Sequence, residues 1–122
     1  MNRMTGLASI AGVVALAVSL GAHHGDAGRY EDKLTTVKGT VVELQLINPH
    51  SMVVLDAKDE SGNAVHWVIE TQNLVQQSTL GWTNSTFKPG DQVDVDVTPA
   101  KNGRPIGRFK GRIVINGQAF KP

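Results

Sequence analysis

Histidine is the residue type in this chain best suited to binding chemistry. Four histidines occur and cysteine is absent, which excludes thiolate metal sites, disulfides and a cysteine nucleophile. His23 and His24 adjoin the predicted end of a leader segment, so cleavage there would put a free amine beside imidazole nitrogens. A planar set of nitrogen donors suits Cu(II) and Ni(II). The pair therefore favours a copper or similar divalent-metal site, but it also fits a polar cleavage region without a ligand.

A second group of candidate ligands begins at a turn. His50 follows Asn48-Pro49 and precedes a predicted strand, and Met52 lies two residues further on the same face. A thioether suits Cu(I). If paired positions of the following hairpin sum to about 120, Glu70 lies opposite His50. We therefore predict a metal site, with its last two members auxiliary, from His23, His24, His50, Met52 and Glu70.

Both strand residues also have purely structural interpretations, and the hairpin suggests a different kind of site. His50 can bond the backbone of its own turn, and Met52 can fill the core. The same register estimate puts Val68 opposite Met52 and His66 opposite Val54, which makes one hairpin face unusually apolar. Residues 28–33, a ligand or a protein partner should cover such a face. The predicted interaction surface is therefore Met52, Val54, His66 and Val68.

The first 22 residues predict a secretory signal peptide. Arg3 is the only charge before an uncharged run, and the apolar core Leu7–Leu20 is shorter than the roughly 20 residues that cross a bilayer. Cleavage near Gly21-His23 would release a periplasmic or secreted protein with no stable membrane insertion, and a retained anchor is the alternative. We expect a flexible arm over residues 23–32, a barrel domain over 33–120 and a tail at 121–122.

The remaining sequence predicts strands by its period-2 alternation of apolar residues. A change of phase at Val41-Val42 predicts a bulge in the first strand. A short helix capped by Thr71 and ended by Gly81 should follow the third strand. The predicted strands are Lys33–Ile47, Ser51–Ala57, Asn63–Glu70, Gln92–Val97 and Gly107–Ile115.

This order of elements is typical of the OB-fold. We therefore predict an all-β, OB-like five-stranded barrel with one short helix between strands 3 and 4. A small open β-sandwich is the alternative. About 100 residues can bury enough surface to be stable without disulfides.

Charge argues against a polyanion partner. The 12 Lys and Arg nearly balance the 11 Asp and Glu. The basic residues of the last strand should pair across it with Asp94 and Asp96, which predicts ion pairs with Arg108 and Lys110. We therefore expect no nucleic-acid partner. Nucleotide-binding and hydrolase motifs are absent from the sequence, so we predict a protein that is not an enzyme.

Several short motifs occur in a characteristic order: His23-His24, Gly39-Thr40-Val41, Asn48-Pro49-His50, Trp67 before Ile69-Glu70, Gly81-Trp82-Thr83 and Lys88-Pro89-Gly90-Asp91. In this order, from His23 to about Phe120, the chain resembles a group of small exported bacterial proteins, the domain-of-unknown-function family 6152. The resemblance implies an exported, OB-like β-domain with no assigned chemistry. Members often follow the histidine pair with Ser and an aromatic residue, whereas this chain has Gly25-Asp26.

The sequence thus predicts an exported small-ligand-binding module, with copper or another divalent metal as the ligand that its histidines would hold. The alternative is a periplasmic protein–protein or envelope interaction module that binds no metal and uses the apolar hairpin face.

Overall fold

The computed structural model describes residues 28–120. Its elements are β1 (Thr35–Gln45), β2 (Met52–Lys58), β3 (Ala64–Glu70), α1 (Leu74–Thr79), β4 (Gln92–Pro99), β5 (Ile106–Ile115) and β6 (Gln118–Ala119). The predicted order of five strands and one helix is confirmed, and the two-residue β6 is an addition that the sequence pattern did not predict. Within this range no helix is long and apolar enough to cross a membrane. The predicted signal peptide, His23 and His24, and the tail at 121–122 lie outside the described residues.

The strands form a closed barrel. Hydrogen-bonded neighbours run in the order β3-β2-β1-β4-β5-β6, and a parallel pairing of β3 with β5 closes the ring. The short β6 pairs only with the end of β5. This closed five-stranded ring confirms the OB-like prediction and excludes the open sandwich.

Strand β1 is long and bent because it pairs with strands on both sides. Gly39 lies opposite Ala57 of β2 and also opposite Val93 of β4. A Cβ atom at Gly39 would lie 2.6 Å from the carbonyl oxygen of Asp56, so this crossing requires a glycine. The predicted bulge is confirmed, since the register of β1 against β2 shifts between Val41 and Glu43.

Aromatic residues fill the barrel at the end that carries α1. Trp82 is 4% exposed, and its ring packs edge-to-face against three phenylalanines at centroid distances of 5.0, 5.7 and 6.4 Å, namely Phe87, Phe109 and Phe120. Because α1 follows the C-terminal end of β3 and precedes β4, this cluster closes the barrel there. We call this the closed end.

The helix starts later than predicted. Asn73, not Thr71, is the N-cap, and its side chain accepts a hydrogen bond from the backbone N–H of Gln76 at 2.9 Å. Thr71 instead continues the pairing with β2, donating its backbone N–H and its hydroxyl to the carbonyl oxygen of Ser51. The capping prediction was wrong because the sheet extends one residue beyond β3.

The predicted register of the β2–β3 hairpin is also wrong. The actual opposite pairs are Met52 with Glu70, Val54 with Val68, and Asp56 with His66. The turn is organised by Asp59, whose carboxylate accepts the backbone N–H groups of Ser61 and Asn63 at 2.9 Å each. This centres the turn on Ser61 instead of Glu60, and moving the centre by one residue moves every opposite pair by two.

The last residues of the predicted flexible arm are packed on the barrel. Tyr30 forms an isolated antiparallel bridge with Ala100 and is 6% exposed. Around it, the backbone N–H of Glu31 donates to the carbonyl of Pro99 at 2.8 Å, and that of Lys101 donates to Arg29 at 2.9 Å. Residues 29–31 are therefore bonded to the β4–β5 turn, and the flexibility of the arm over residues 23–32 stays a prediction.

Candidate functional site

His50 is held by a tightly bonded loop between β1 and β2. The Asn48-Pro49 peptide bond before it is cis, and Ser51 after it is fully buried, with its backbone N–H donating to the carbonyl of Gln72. The side chain of Asn48 accepts the backbone N–H of Leu74 at 3.2 Å, which ties the loop to the start of α1. The imidazole of His50 is half-buried. It makes no hydrogen bond within the part of the chain that the structure describes, so it is available to a ligand.

The predicted auxiliary ligands do not gather around His50. Glu70 lies opposite Met52, one pair further along the hairpin than predicted. Its carboxylate accepts the hydroxyl of Tyr30 in a short hydrogen bond and lies 3.8 Å from the Arg29 guanidinium. The predicted opposition of His50 and Glu70 is therefore wrong, and Glu70 is already engaged with the N-terminal segment.

His66 forms a pair with Asp56 across the hairpin. The Nδ1 atom of His66 contacts Oδ1 of Asp56, and both side chains are largely exposed. The two remaining histidines, His23 and His24, lie outside the described residues. Over residues 28–120 no three His, Cys, Asp or Glu side chains come together in a way that could hold a metal ion.

Three residues of the predicted interaction surface lie on one face of the hairpin, and the N-terminal segment lies beside that face. Met52, Val54 and Val68 are half-buried on the side away from the core, and Val54 and Val68 are directly opposite. Tyr30 extends from its bridge at Ala100 to the carboxylate of Glu70 at the end of β3. The N-terminal segment thus borders this face. His66, the fourth predicted member, points its imidazole to Asp56.

The charged face of β4 is satisfied by partners other than those predicted. Asp94 lies 3.5 Å from Lys38 of β1, and buried Asp96 accepts hydrogen bonds from Thr36 at 2.6 Å and from Arg112 at 3.2 Å. The basic partners are therefore Lys38 and Arg112, where the sequence predicted Arg108 and Lys110. The cause is an irregularity in β5, where the partner of Val97 is Phe109 but the partner of Val95 is Ile113. These extra residues shift the basic side chains along the strand.

The pKa of one carboxyl group beside the closed end is shifted. Asp91 accepts the backbone N–H of Lys88 at 2.9 Å and the side-chain amide of Asn116 at 3.1 Å. These hydrogen bonds, first that from the Lys88 backbone, lower the pKa of Asp91 below its usual 3.8. The bonds join the turn before β4 to the end of β5.

The barrel end opposite α1 contains a cavity of about 620 Å³. It lies between the β2–β3 turn, the β4–β5 turn and the start of β1. We call this the open end. Its apolar lining comes from Val37, Ala57, Val65, Trp67, Pro99 and Pro105. The charged lining residues are Lys38, Lys58, Asp59, Glu60 and Arg104.

The cavity exists because the barrel seam is short. Strand β5 pairs with β3 only from Val68 to Glu70, so among the described strands the preceding β3 residues have β2 as their one neighbour. The β4–β5 turn reaches the seam through Pro105, whose carbonyl accepts the backbone N–H of Val68 at 3.0 Å. Below that bond, the inward-facing side chains of Val65 and Trp67 are left half-buried at an opening.

A second depression, of about 590 Å³, crosses the outside of β1. Most of its polar side chains already have partners: Lys38 pairs with Asp94, the amide of Gln92 donates to the Thr40 hydroxyl at 2.9 Å, and Asp56 contacts His66, which leaves Lys58. This groove therefore offers a ligand fewer unsatisfied groups than the open end does.

Sequence reasoning missed the open end. It assigned Trp67 and Val65 to the core face, which is correct, and periodicity carries no signal for how many residues close a barrel seam. The one available hint was the β4–β5 turn itself, where Gly103 has a φ of 76° and Pro105 follows two residues later. That hint predicts a turn but not a cavity.

Comparison with known proteins gives a family and no more. The model of a family of unknown function, DUF6152, matches residues 10–109. No curated protein and no solved structure matches the chain.

Proposed function

Because the chain belongs to the DUF6152 family, whose function is unknown, we propose its function from geometry: it is a non-catalytic module that binds a small ligand at the open end of its barrel. The observation that carries this proposal is the cavity of about 620 Å³ over Trp67. Ligand pockets typically measure about 300–1,000 Å³ and combine an apolar lining with a few polar groups. The open end has both properties.

The composition of the cavity supports binding over chemistry. Its described lining residues include no histidine and no cysteine, and the Thr36 hydroxyl donates to Asp96, which lies outside the lining, and not to a lining carboxylate. Nucleophilic catalysis requires a nucleophile and a base within hydrogen-bond reach. Binding requires only the apolar lining and the charged rim.

We further propose that this module works outside the cytoplasm. The support is the sequence of residues 1–22, with Arg3 before the short apolar core Leu7–Leu20. Mass spectrometry of the protein recovered from a bacterial periplasm would identify its N-terminus. A chain that begins at residue 22 or 23 agrees with the proposal, and one that retains residues 1–22 and is recovered from the cytoplasm contradicts it.

The binding proposal is tested by native mass spectrometry of the chain purified without denaturation. We expect an adduct of low mass on the wild type and its loss in Val65→Phe, whose larger ring would occupy the cavity. A matched variant on the outer face, Val54→Phe, should retain the adduct. If the wild type carries no adduct and no small molecule from a bacterial extract raises its Tm, the proposal is wrong.

A second candidate function is copper binding by His23, His24 and His50, and one observation favours it. Arg29 and Tyr30 both contact the carboxylate of Glu70. Glu70 lies opposite Met52, which follows His50 by two residues in the chain. His24 precedes Arg29 by five residues, and an extended chain of that length spans at most about 18 Å. The short link from Arg29 to His24 is therefore compatible with a site that combines the N-terminal histidines with His50.

Titration with Cu(II) against a competing chelator tests this candidate. We expect the triple variant His23→Ala, His24→Ala, His50→Ala to bind at least about tenfold more weakly than the wild type, or about 1.4 kcal/mol. His66→Ala is the matched control, because its imidazole is paired with Asp56 on the same hairpin. Unchanged affinity in the triple variant would end the copper proposal.

A further inference from the structure

We propose that the ligand of the open end is an amphipathic anion, with a flat apolar body against Trp67 and a carboxylate or similar anionic group at Arg104 and Lys58. This inference rests on the proposed function and specifies the ligand's chemical class.

The apolar part of the cavity selects a flat body. Trp67 is the aromatic member of the lining and is half-buried, with Val37 and Val65 also facing the cavity. Two prolines, Pro99 and Pro105, border it on the β4–β5 side. Rigid walls of this kind lose little side-chain entropy when a ligand binds, and an indole face favours stacking with another π-system.

Some of the charged side chains around the cavity already have a bonding partner, and others do not. Lys38 is already paired with Asp94 at 3.5 Å, and the Asp59 carboxylate accepts two backbone N–H groups of its own turn. By contrast, Lys58 and Arg104 have no side-chain hydrogen bond or ion pair to any residue from 28 to 120. Among the described lining residues, Lys58, Arg104 and Glu60 are therefore the charged groups without a side-chain partner, while the Asp59 carboxylate keeps its charge but is held in its own turn.

The position of Arg104 suits recognition of a carboxylate. It lies between Gly103 and Pro105, which both line the cavity, and its backbone N–H donates to the side chain of Asn102 at 3.0 Å. That bond fixes the turn from which the guanidinium extends. A guanidinium binds carboxylates through two parallel hydrogen bonds, which gives directional selectivity that an ammonium group lacks.

A cationic ligand is the principal rival, since an indole ring also attracts cations. Here Lys58 and Arg104 would repel such a ligand at the entrance. A neutral aromatic ligand would leave both cations unused. The anion is the ligand class that satisfies the apolar lining and the unpaired cations together.

The test compares three probes of one shape by isothermal titration calorimetry on the full chain. The probes are 2-naphthoate, the neutral 2-naphthamide and the cationic 2-naphthylmethylammonium. We expect the wild type to bind the anion about tenfold more tightly than the amide and to bind the cation most weakly. Added salt should weaken only the anion's binding.

Three variants locate the effect. Arg104→Ala should weaken 2-naphthoate binding about tenfold and leave 2-naphthamide within about twofold. Lys101→Ala is the matched control, because it removes a cation from the same turn that does not line this cavity. Trp67→Phe should weaken both probes modestly while retaining the aromatic wall.

The outcomes separate this inference from the proposed function. If the amide and the anion bind equally and Val65→Phe removes both, the cavity binds ligands but the anionic class is wrong. A preference for the cation overturns the inference in the same way. If none of the probes binds the wild type, the inference is also wrong, and the proposed function is then decided by the native mass measurement alone.

Discussion

The two ends of the barrel each contain one tryptophan, in opposite situations. At the closed end, Trp82 is 4% exposed and contacts three phenylalanine rings. At the open end, Trp67 is half-buried and faces a cavity of about 620 Å³. Trp82 is buried by packing within the chain, whereas Trp67 retains apolar surface that the residues from 28 to 120 leave uncovered. The difference indicates that this small barrel is tightly packed at one end and less tightly packed at the other, where we propose that it binds.

The largest expected effect comes from truncating each tryptophan in turn. Trp82→Ala should lower the free energy of unfolding by about 3–5 kcal/mol, because it leaves a cavity among packed rings. Trp67→Ala should cost less, about 2–3 kcal/mol, because Trp67 packs on the core but is only half-buried and also lines the cavity. Urea unfolding followed by circular dichroism measures both values.

The m-values provide the control, since they must agree between variants for the free energies to be comparable. Equal losses for the two alanine variants would mean that Trp67 is as tightly packed as Trp82. In that case the distinction between a closed and an open end would disappear.

Replacing a valine by the larger phenylalanine tests the same difference in packing, and its effect on stability should be smaller. Val41 is 2% exposed in the core, and Val41→Phe should destabilise by about 1–3 kcal/mol because the core has no space for a ring. Val65 lines the open cavity, so Val65→Phe should change stability by less than about 0.5 kcal/mol. Thermal unfolding of both variants distinguishes these values. A Val65→Phe variant as unstable as Val41→Phe would show that the cavity cannot accept an added ring.

The fold was predictable from sequence because its signals are local. The alternation of Val93, Val95 and Val97 identifies β4, the change of phase at Val41-Val42 identifies the bulge in β1, and Lys88-Pro89-Gly90-Asp91 identifies a turn. Each signal lies within a few neighbouring residues. The order of elements then limited the architecture to a few arrangements, of which the closed barrel is the one observed.

The candidate site was less predictable because its geometry depends on contacts between distant residues. A hydrogen bond that joins positions 40 residues apart docks Tyr30 on Glu70, and no periodicity predicts it. The position of His50 relative to Glu70 depended on where a five-residue turn is centred, and an error of one residue there moved the partner by two. The open end depends on the length of the β3–β5 seam, which is a property of the closed ring and of no single segment.

The smallest expected effect is a pH dependence at the closed end, through Asp91. Its pKa is lowered below 3.8 in the folded chain by the Lys88 backbone N–H and the Asn116 amide. The stabilisation is therefore fully present above about pH 4, near the unfolded value, and is lost as the pH falls through the lower folded pKa. Asp91→Asn should be less stable than the wild type at pH 7, and the difference should shrink toward pH 2.5. Urea midpoints between pH 7 and pH 2.5 measure this convergence. A difference that stays constant with pH would mean that the charge of Asp91 contributes nothing and that only the shape of its side chain holds the turn against β5.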